Sequence, residues 1–379
     1  MRKLLVFIGF LAGVASCIYP FDPVIDGEAG DMAVFEASII VGGVSTVRVS
    51  KAWSLNWSST GVYNAVAWVE GDDGTRYDTY VGSSSGREIK IHTENASPDK
   101  SYRMVAELDG KKYSSDWIKP LPPPDLESVD IDLSPTGDNV DVLVTLKGGN
   151  ESTGYLGVYF DETWEFHAEH LCKYELDTLR WEVSKRVEPY PNYWCWKSNT
   201  SSIKVLECSK FEGGRIASYP IHSFSRSDNR NHKKYSINVR AVTLPQETYR
   251  FMKNLDDISN GTGSLFSPNP GEMVSNMFCE SDPSAKVLGY VTVSIESTKR
   301  VFIDDRYHVP APPPQTYFFL PSSPFSYMGY YYEGKYPVDF MTLVIDEREV
   351  MGIFWGPKRC IDCVVDGGTK QKPDFWEDE

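Results

Sequence analysis

The stretch SYRMVAELDGKKYSS, residues 101–115, decides the fold class of this chain. Apolar and other side chains alternate from Tyr102 to Leu108, which is the period of a strand with one buried face. Asp109 and Gly110 follow, and an Asp-Gly pair is a strong signal for a tight turn between two antiparallel strands. The stretch therefore predicts a β-hairpin.

Strands of the same kind surround this hairpin. Residues 31–120 contain repeated short β-prone runs, and NAVAWVEGDDG at residues 64–74 again combines alternation with a tight-turn signal. Tyr102 opens an alternating strand that ends in the Asp-Gly turn, and this strand is similar to the penultimate strand of immunoglobulin-like sandwiches. We predict an N-terminal β-sandwich domain over residues 31–120.

A proline-rich stretch, KPLPPPD at residues 119–125, marks the end of this domain. Consecutive prolines hold the backbone extended, so the stretch predicts a semi-rigid linker, assigned to residues 121–127. Residues 128–379 again show strand patterns and form a predicted larger, β-rich C-terminal domain. The fold class is therefore mainly β.

The C-terminal domain has one helical pattern, in LPQETYRFMKNLDDISN. Tyr249, Met252 and Leu255 share a face there, and Pro245 suits the start of a helix. The run VLGYVTVSIESTKRVFI, residues 287–303, has apolar positions at period two and predicts one long strand. VPAPPPQTYFFLP and YMGYYYEGKYP, residues 309–321 and 327–337, are predicted to be exposed loops.

The first 17 residues predict export and a lipid anchor. Arg2 and Lys3 precede an apolar run, which ends in the small residues Ala15 and Ser16 directly before Cys17. This order is similar to a bacterial lipobox, so residues 1–16 are a predicted signal peptide, Cys17 the lipidated residue and 17–30 a tether. The run is shorter than the roughly 20 residues that a spanning helix needs. The alternative is an ordinary signal with a coincidental cysteine.

The net charge limits the possible partners, and the cysteine content predicts disulfides. The net charge is -15, so the surface repels phosphate backbones and nucleic acid is not expected as a partner. Six further cysteines in an exported chain predict up to three disulfides with open connectivity. They are Cys172, Cys195, Cys208, Cys279, Cys360 and Cys363. Only Cys360 with Cys363 is a local pair, and the CIDC spacing also suits a metal site or a redox pair.

Catalytic and metal motifs are weak in this sequence. His167 and His170 in HAEHLC are the best metal candidates, but the helical two-histidine zinc motif has another spacing, so a solvated loop with a disulfide at Cys172 is favoured. Neither a GxSxG elbow nor a phosphate-binding GxxxxGK[ST] motif occurs. We therefore expect no enzymatic activity and no cofactor.

Aromatic residues provide the interface candidates. Trp194 and Trp196 flank Cys195, and Tyr330, Tyr331 and Tyr332 are consecutive in a glycine-flanked stretch. Because successive side chains of an extended chain face opposite ways, the three tyrosines cannot all point inward. Exposed rings of this type are favoured at interfaces. The alternatives are a buried tryptophan pair in a sandwich core and a partly buried tyrosine loop.

The ordered set of motifs resembles the lipoprotein family called domain of unknown function 4249, found in Bacteroidota. The set includes PFDP, NAVAWVEGDDG, TLPQETYRFMKNL and CIDCVVDGGTKQKPDFW, between about residues 17 and 376. The resemblance implies an outer-membrane lipoprotein, often encoded beside a TonB-dependent transporter, with an immunoglobulin-like or transthyretin-like N-terminal sandwich. It brings no agreed activity and no site residues. The resemblance leads us to expect the cell surface. IYPFDP after Cys17 lacks the acidic cluster associated with surface export in that lineage, so the periplasmic face stays open.

These observations support one main functional hypothesis and two alternatives. The main hypothesis is a non-enzymatic binding or accessory lipoprotein that associates with a TonB-dependent transporter in nutrient capture. The first alternative is a structural or adhesive envelope lipoprotein. The second is a metal-assisted hydrolase that uses His167 and His170.

Overall fold

The protein is mainly β, as predicted. The computed structural model describes residues 32–51, 65–79, 88–148, 154–188, 191–260, 275–309, 317–319, 325–345 and 348–376. Within these ranges it has 22 strands and two α-helices. The predicted signal peptide (1–16) and the predicted tether (17–30), with Cys17, lie outside the described residues.

Two sheets form the N-terminal sandwich. The first has the order β18–β1–β2–β5, and the second has the order β17–β7–β6–β3–β4. The strands of the first sheet are β1 (Ala33–Ile40), β2 (Val44–Lys51), β5 (Ile89–His92) and β18 (Val287–Ser294). Those of the second are β3 (Val66–Gly71), β4 (Arg76–Asp78), β6 (Tyr102–Leu108), β7 (Lys111–Ser115) and β17 (Met277–Cys279).

The predicted hairpin is confirmed as β6 and β7. Asp109 and Gly110 have φ angles of 52° and 75°, and two central residues with positive φ are what the favoured two-residue hairpin turn requires. Tyr102, Met104 and Leu108 of β6 face the apolar core between the two sheets. The apolar positions of the alternating pattern are therefore the side chains of β6 that face the core of this sandwich.

Two strands of this sandwich come from a distant part of the chain. β18 pairs in parallel with β1, from Ala33 opposite Val287 to Ile40 opposite Ser294, and β17 pairs with β7. The sandwich thus uses strands from both sides of residues 121–127. The boundary at that linker stays a prediction, whereas strand pairing adds residues 277–279 and 287–294 to the first sandwich.

A second sandwich follows, with sheet orders β15–β9–β8 and β13–β10–β16–β19, and β14 also paired with β10. Alternate residues of β10, such as Phe160 and Trp164, face Val142 and Val144 of β9 in a shared core. The strands are β8 (Asp125–Leu133), β9 (Asn139–Lys147), β10 (Tyr155–His167), β13 (Trp194–Thr200), β14 (Lys204–Glu207), β15 (Arg215–Ser225), β16 (Lys234–Thr243) and β19 (Ser297–Asp304).

The prediction of one long strand over residues 287–303 is wrong. β18 ends at Ser294 and β19 begins at Ser297, and the two strands belong to different sandwiches. Both strands have period two, so the pattern does not reveal the change of sheet between them. This passage is a covalent connection between the two sandwiches.

The predicted helix is confirmed as α1, Gln246–Asn260, directly after Pro245. Tyr249 stacks on Tyr155 of β10 with ring centres 4.5 Å apart, and Phe251 stacks on Tyr290 of β18 at 4.2 Å. The helix therefore packs against both sandwiches.

The last part of the chain and one earlier hairpin form a third, smaller unit. It contains the hairpin of β11 (Tyr174–Asp177) and β12 (Glu182–Lys185) and a sheet ordered β20–β22–β21. The strands of that sheet are β20 (Tyr317–Phe319), β21 (Lys335–Ile345) and β22 (Arg348–Pro357), and helix α2 spans Phe325–Tyr332. The prediction of loops at residues 309–321 and 327–337 is therefore wrong for residues 317–319, 327–332 and 335–337, which lie in β20, α2 and β21. Neither described helix is long and apolar enough to cross a membrane.

Candidate binding face

Helix α2 lies on a buried aromatic base. Trp355 of β22 is fully buried, and the rings of Tyr327 and Tyr330 lie 5.5 and 5.4 Å from it. The Tyr330 ring is nearly parallel to the indole, at 16°. Aromatic pairs of this type add stabilisation beyond their buried area. The helix is consequently held by two of its four tyrosines.

The other two tyrosines of α2 face outward and meet the β11–β12 hairpin. The Trp181 ring lies 6.0 Å from the Tyr331 ring and 6.1 Å from the Tyr332 ring. Tyr332 is 75% exposed, Tyr331 is 38% exposed, and Leu179 at the hairpin tip is 92% exposed. We call Leu179, Trp181, Tyr331 and Tyr332 the aromatic face.

The hairpin tip is fixed by one aspartate. The Asp177 carboxylate accepts hydrogen bonds from the backbone N–H groups of Leu179 (2.8 Å) and Arg180 (3.1 Å), which lower its pKa. The Trp181 N–H donates to the Asp177 carbonyl at 2.7 Å, with Trp181 at a φ of 57°. A residue in this left-handed region needs such support. The exposed Leu179 is therefore presented by an ordered turn.

A small cavity of about 230 Å³ opens between the hairpin and the β20–β22–β21 sheet. Tyr174, Val183, Lys185, Phe340 and Ile353 line it. The Tyr174 and Phe340 rings meet edge to face at 4.9 Å. The lining is apolar and aromatic apart from one lysine, which suits an apolar side chain of a partner.

The structure separates the predicted interface residues into two groups. Tyr331 and Tyr332 are exposed together, while Tyr330 packs inward. The prediction that the tyrosines lie in an extended loop is wrong, because they belong to a helix. Trp194 and Trp196 lie on β13 in the second sandwich, where Trp196 pairs with Thr369. An interface role for either group stays a prediction.

One disulfide is formed among the described cysteines, between Cys195 and Cys363. Cys363 thus pairs across 168 residues and not with its neighbour Cys360, which contradicts the local pairing. Cys172 and Cys360 are thiols in one small buried cluster, and burial raises the pKa of Cys360 to about 12. Cys208 and Cys279 are also buried thiols, and the Cys208 thiol donates to the Gly154 carbonyl at 3.2 Å.

The structure places His167 and His170 in different surroundings. His167 ends β10 and stacks on His232, whereas the His170 backbone N–H donates to the Cys360 carbonyl at 2.8 Å. Among the described residues, no group of three or more histidine, cysteine, aspartate and glutamate side chains could hold a metal ion. The proximity of His167 to His232 was not predicted, because the two are far apart in sequence.

The second sandwich also contains a buried carboxylate that sequence analysis missed. Glu162 is fully buried, and both of its oxygens accept hydrogen bonds from Arg230 at 3.0 Å. Asn199 and Tyr235 also donate at 3.0 Å, and His222 Nε2 lies 3.2 Å away. Burial raises the pKa, but the contacts with His222, Arg230 and Asn199 outweigh it, so the pKa is about 2. A carboxylate held ionised in this way is a structural anion and a poor general base.

The chain belongs to the family described as Domain of unknown function (DUF4249), which it matches over residues 18–300. None of the curated proteins compared with the chain matches it. The matched residues span both sandwiches and include Trp181. They end before Tyr331 and Tyr332, so half of the aromatic face lies beyond them.

Proposed function

We propose that this protein is an outer-membrane lipoprotein of the Bacteroidota type that acts as a non-enzymatic accessory subunit of a TonB-dependent transporter in nutrient capture. Its anchor is Cys17, and its binding surface is the aromatic face. The observation that carries the proposal is the exposure of Tyr332 and Leu179 on an ordered base. Tyrosine and tryptophan are enriched in the central contacts of protein interfaces.

The anchor supports this function because it keeps the sandwiches at a membrane surface. A multiply acylated cysteine holds a chain firmly, since each buried methylene contributes about 0.8 kcal/mol. Cys17→Ser is expected to move the protein from the membrane fraction of cells to the soluble fraction. Retention of C17S in the membrane fraction would contradict the lipid anchor.

Site-directed photo-crosslinking tests the binding surface. A photoreactive phenylalanine analogue replaces Tyr332 in the full-length protein, in cells that express it at native level. The matched control is the same replacement at Phe278 of β17, an aromatic residue that is 45% exposed on the first sandwich. After illumination, mass spectrometry identifies the crosslinked proteins.

A TonB-dependent transporter crosslinked at position 332 and absent at position 278 is the expected result. Crosslinks to other envelope proteins alone, or equal crosslinking at both positions, would overturn the accessory role. The structural or adhesive role would then be the better proposal. Tyr332→Ala should abolish co-purification of the transporter in mild detergent without lowering the melting temperature.

A further inference from the structure

Three histidines at or near the ends of three neighbouring strands meet at one end of the β13–β10–β16–β19 sheet. His167 ends β10, His232 precedes β16 by two residues, and His308 follows β19 by four. These strands are antiparallel, with Glu165 opposite Lys234 and Lys234 opposite Asp304. The end of β10, the start of β16 and the end of β19 therefore lie at the same edge.

The imidazole rings are in contact. The His167 and His232 ring centres are 4.8 Å apart, and those of His232 and His308 are 5.2 Å apart. Two imidazoles that bind one metal ion through nitrogens about 2.0–2.1 Å from it have ring centres roughly 5 Å apart. The spacing of His232 and His308 suits a shared ion.

Two nitrogens of this group lack hydrogen-bond partners. Nδ1 of His232 and Nδ1 of His308 are buried, and neither has a hydrogen-bond partner within the part of the chain that the structure describes. A buried polar atom without a partner costs about 1–3 kcal/mol and calls for an explanation. His167 differs, because its Nδ1 lies 2.7 Å from the Ala168 carbonyl and donates to it. The free nitrogens are thus those of His232 and His308.

The chemistry of the two side chains also suits a metal ligand. Copper, nickel and zinc all accept imidazole nitrogen.

We propose that His232 and His308 form a two-imidazole site for a divalent transition-metal ion, with water completing the coordination. Binding turns the two rings until both Nδ1 atoms face the ion. His167 stacks on His232 and positions it without being a ligand. The site is distinct from the sequence-based pair His167 and His170, and it needs only two protein ligands.

The test of this site is a titration with Cu(II) and Ni(II), followed by calorimetry and tryptophan fluorescence. The purified protein carries no histidine tag. The Trp194 ring lies 5.0 Å from the His167 ring, so bound Cu(II) should quench its fluorescence. One saturable site is expected. His232→Ala and His308→Ala should each weaken binding at least about tenfold, the scale on which even outer-shell partners act. Circular dichroism verifies that each variant is folded.

His92→Ala and His170→Ala are the matched controls, and both should bind the ion like the unaltered protein. The electron paramagnetic resonance spectrum of the Cu(II) complex should show two nitrogen ligands and lose one in His308→Ala, so a folding failure of His232→Ala alone leaves the test intact. No saturable binding would overturn the proposal. Unchanged binding in both H232A and H308A, or equal loss in the two controls, would also overturn it.

Discussion

Gly289 of β18 lies so close to the backbone of Phe35 in β1 that a β-carbon at this position would collide with the Phe35 carbonyl. Its φ of +145° is also one that side chains rarely allow. The parallel pairing that completes the first sandwich therefore depends on a glycine. A backbone atom cannot move aside as the end of a flexible side chain can.

Gly289→Ala should consequently destabilise the protein. We expect the free energy of unfolding to fall by about 2–4 kcal/mol, from strain and a displaced strand. Urea denaturation followed by circular dichroism measures it. The control is Gly329→Ala in α2, where a β-carbon meets open space and alanine is the better helix former. A G289A protein as stable as the unaltered one would contradict the close approach.

The Cys195–Cys363 disulfide should dominate the response to reducing agents. A cross-link that closes a loop of this length stabilises by about 2–5 kcal/mol. Dithiothreitol should lower the melting temperature of the unaltered protein and have no effect on the double variant Cys195→Ala, Cys363→Ala. Cys360→Ala should keep the full response. If C360A lost the response instead, the local Cys360–Cys363 pairing would be correct.

Neutralising Glu162 should unfold part of the second sandwich. Glu162→Gln removes the buried carboxylate that pairs with Arg230 and leaves the arginine with Asp228 alone, which should cost on the order of 3 kcal/mol in denaturant titrations. Glu127→Gln is the control, because the exposed Glu127–Arg215 pair should contribute little to stability. Equal effects of E162Q and E127Q would contradict the structural role of the buried carboxylate.

The half-buried His232 should make the protein sensitive to mild acid. Its folded-state pKa of about 4 lies below the ordinary 6.5, so the unfolded chain binds the proton more readily. Stability present above pH 6.5 is therefore lost as the pH falls towards 4, by about 2 kcal/mol after allowance for partial exposure. Unfolding free energies at pH 7 and 4.5 measure this loss. His232→Gln should reduce it and His92→Gln should not, and an unchanged loss in H232Q would contradict the assignment.

Substitutions in the aromatic face and in its buried base should differ in how much they destabilise the protein. Trp355→Ala removes the fully buried base and should cost about 3–5 kcal/mol. Tyr332→Ala should cost less than about 0.5 kcal/mol, because its ring is mostly exposed. Thermal unfolding distinguishes the two outcomes. A large destabilisation by Y332A would indicate that the tyrosine supports the fold and is not kept for contact with a partner.

Local sequence signals predicted the elements that depend on local physics. The Asp109–Gly110 hairpin and helix α1 after Pro245 were both predicted, because turn chemistry and helical periodicity act over a few residues. Helix α2 was missed, since its tyrosine run around Gly329 lacks a clear apolar stripe and Met328 is its one strong helix former. Its helical state depends on packing against Trp355.

Contacts between distant residues could not be predicted. The pairing of Gly289 with Phe35, the Cys195–Cys363 disulfide and the stacking of His167 on His232 join residues that are far apart in sequence. Period two shows that a strand has a buried face, but it does not identify its neighbour. The burial of the Glu162 carboxylate could not be predicted either, because the residues that contact it are distant in sequence.

The parallel pairing of β1 with β18 also determines when the first sandwich can be completed during synthesis. The ribosome delivers β1 early, but its parallel neighbour exists only once residue 294 has been made. Until then β1 and β7 expose open hydrogen-bonding edges, which are prone to pair with other chains. A nascent chain of this protein consequently exposes these edges over most of its translation, and a fragment that stops at residue 120 would carry the same open edges permanently.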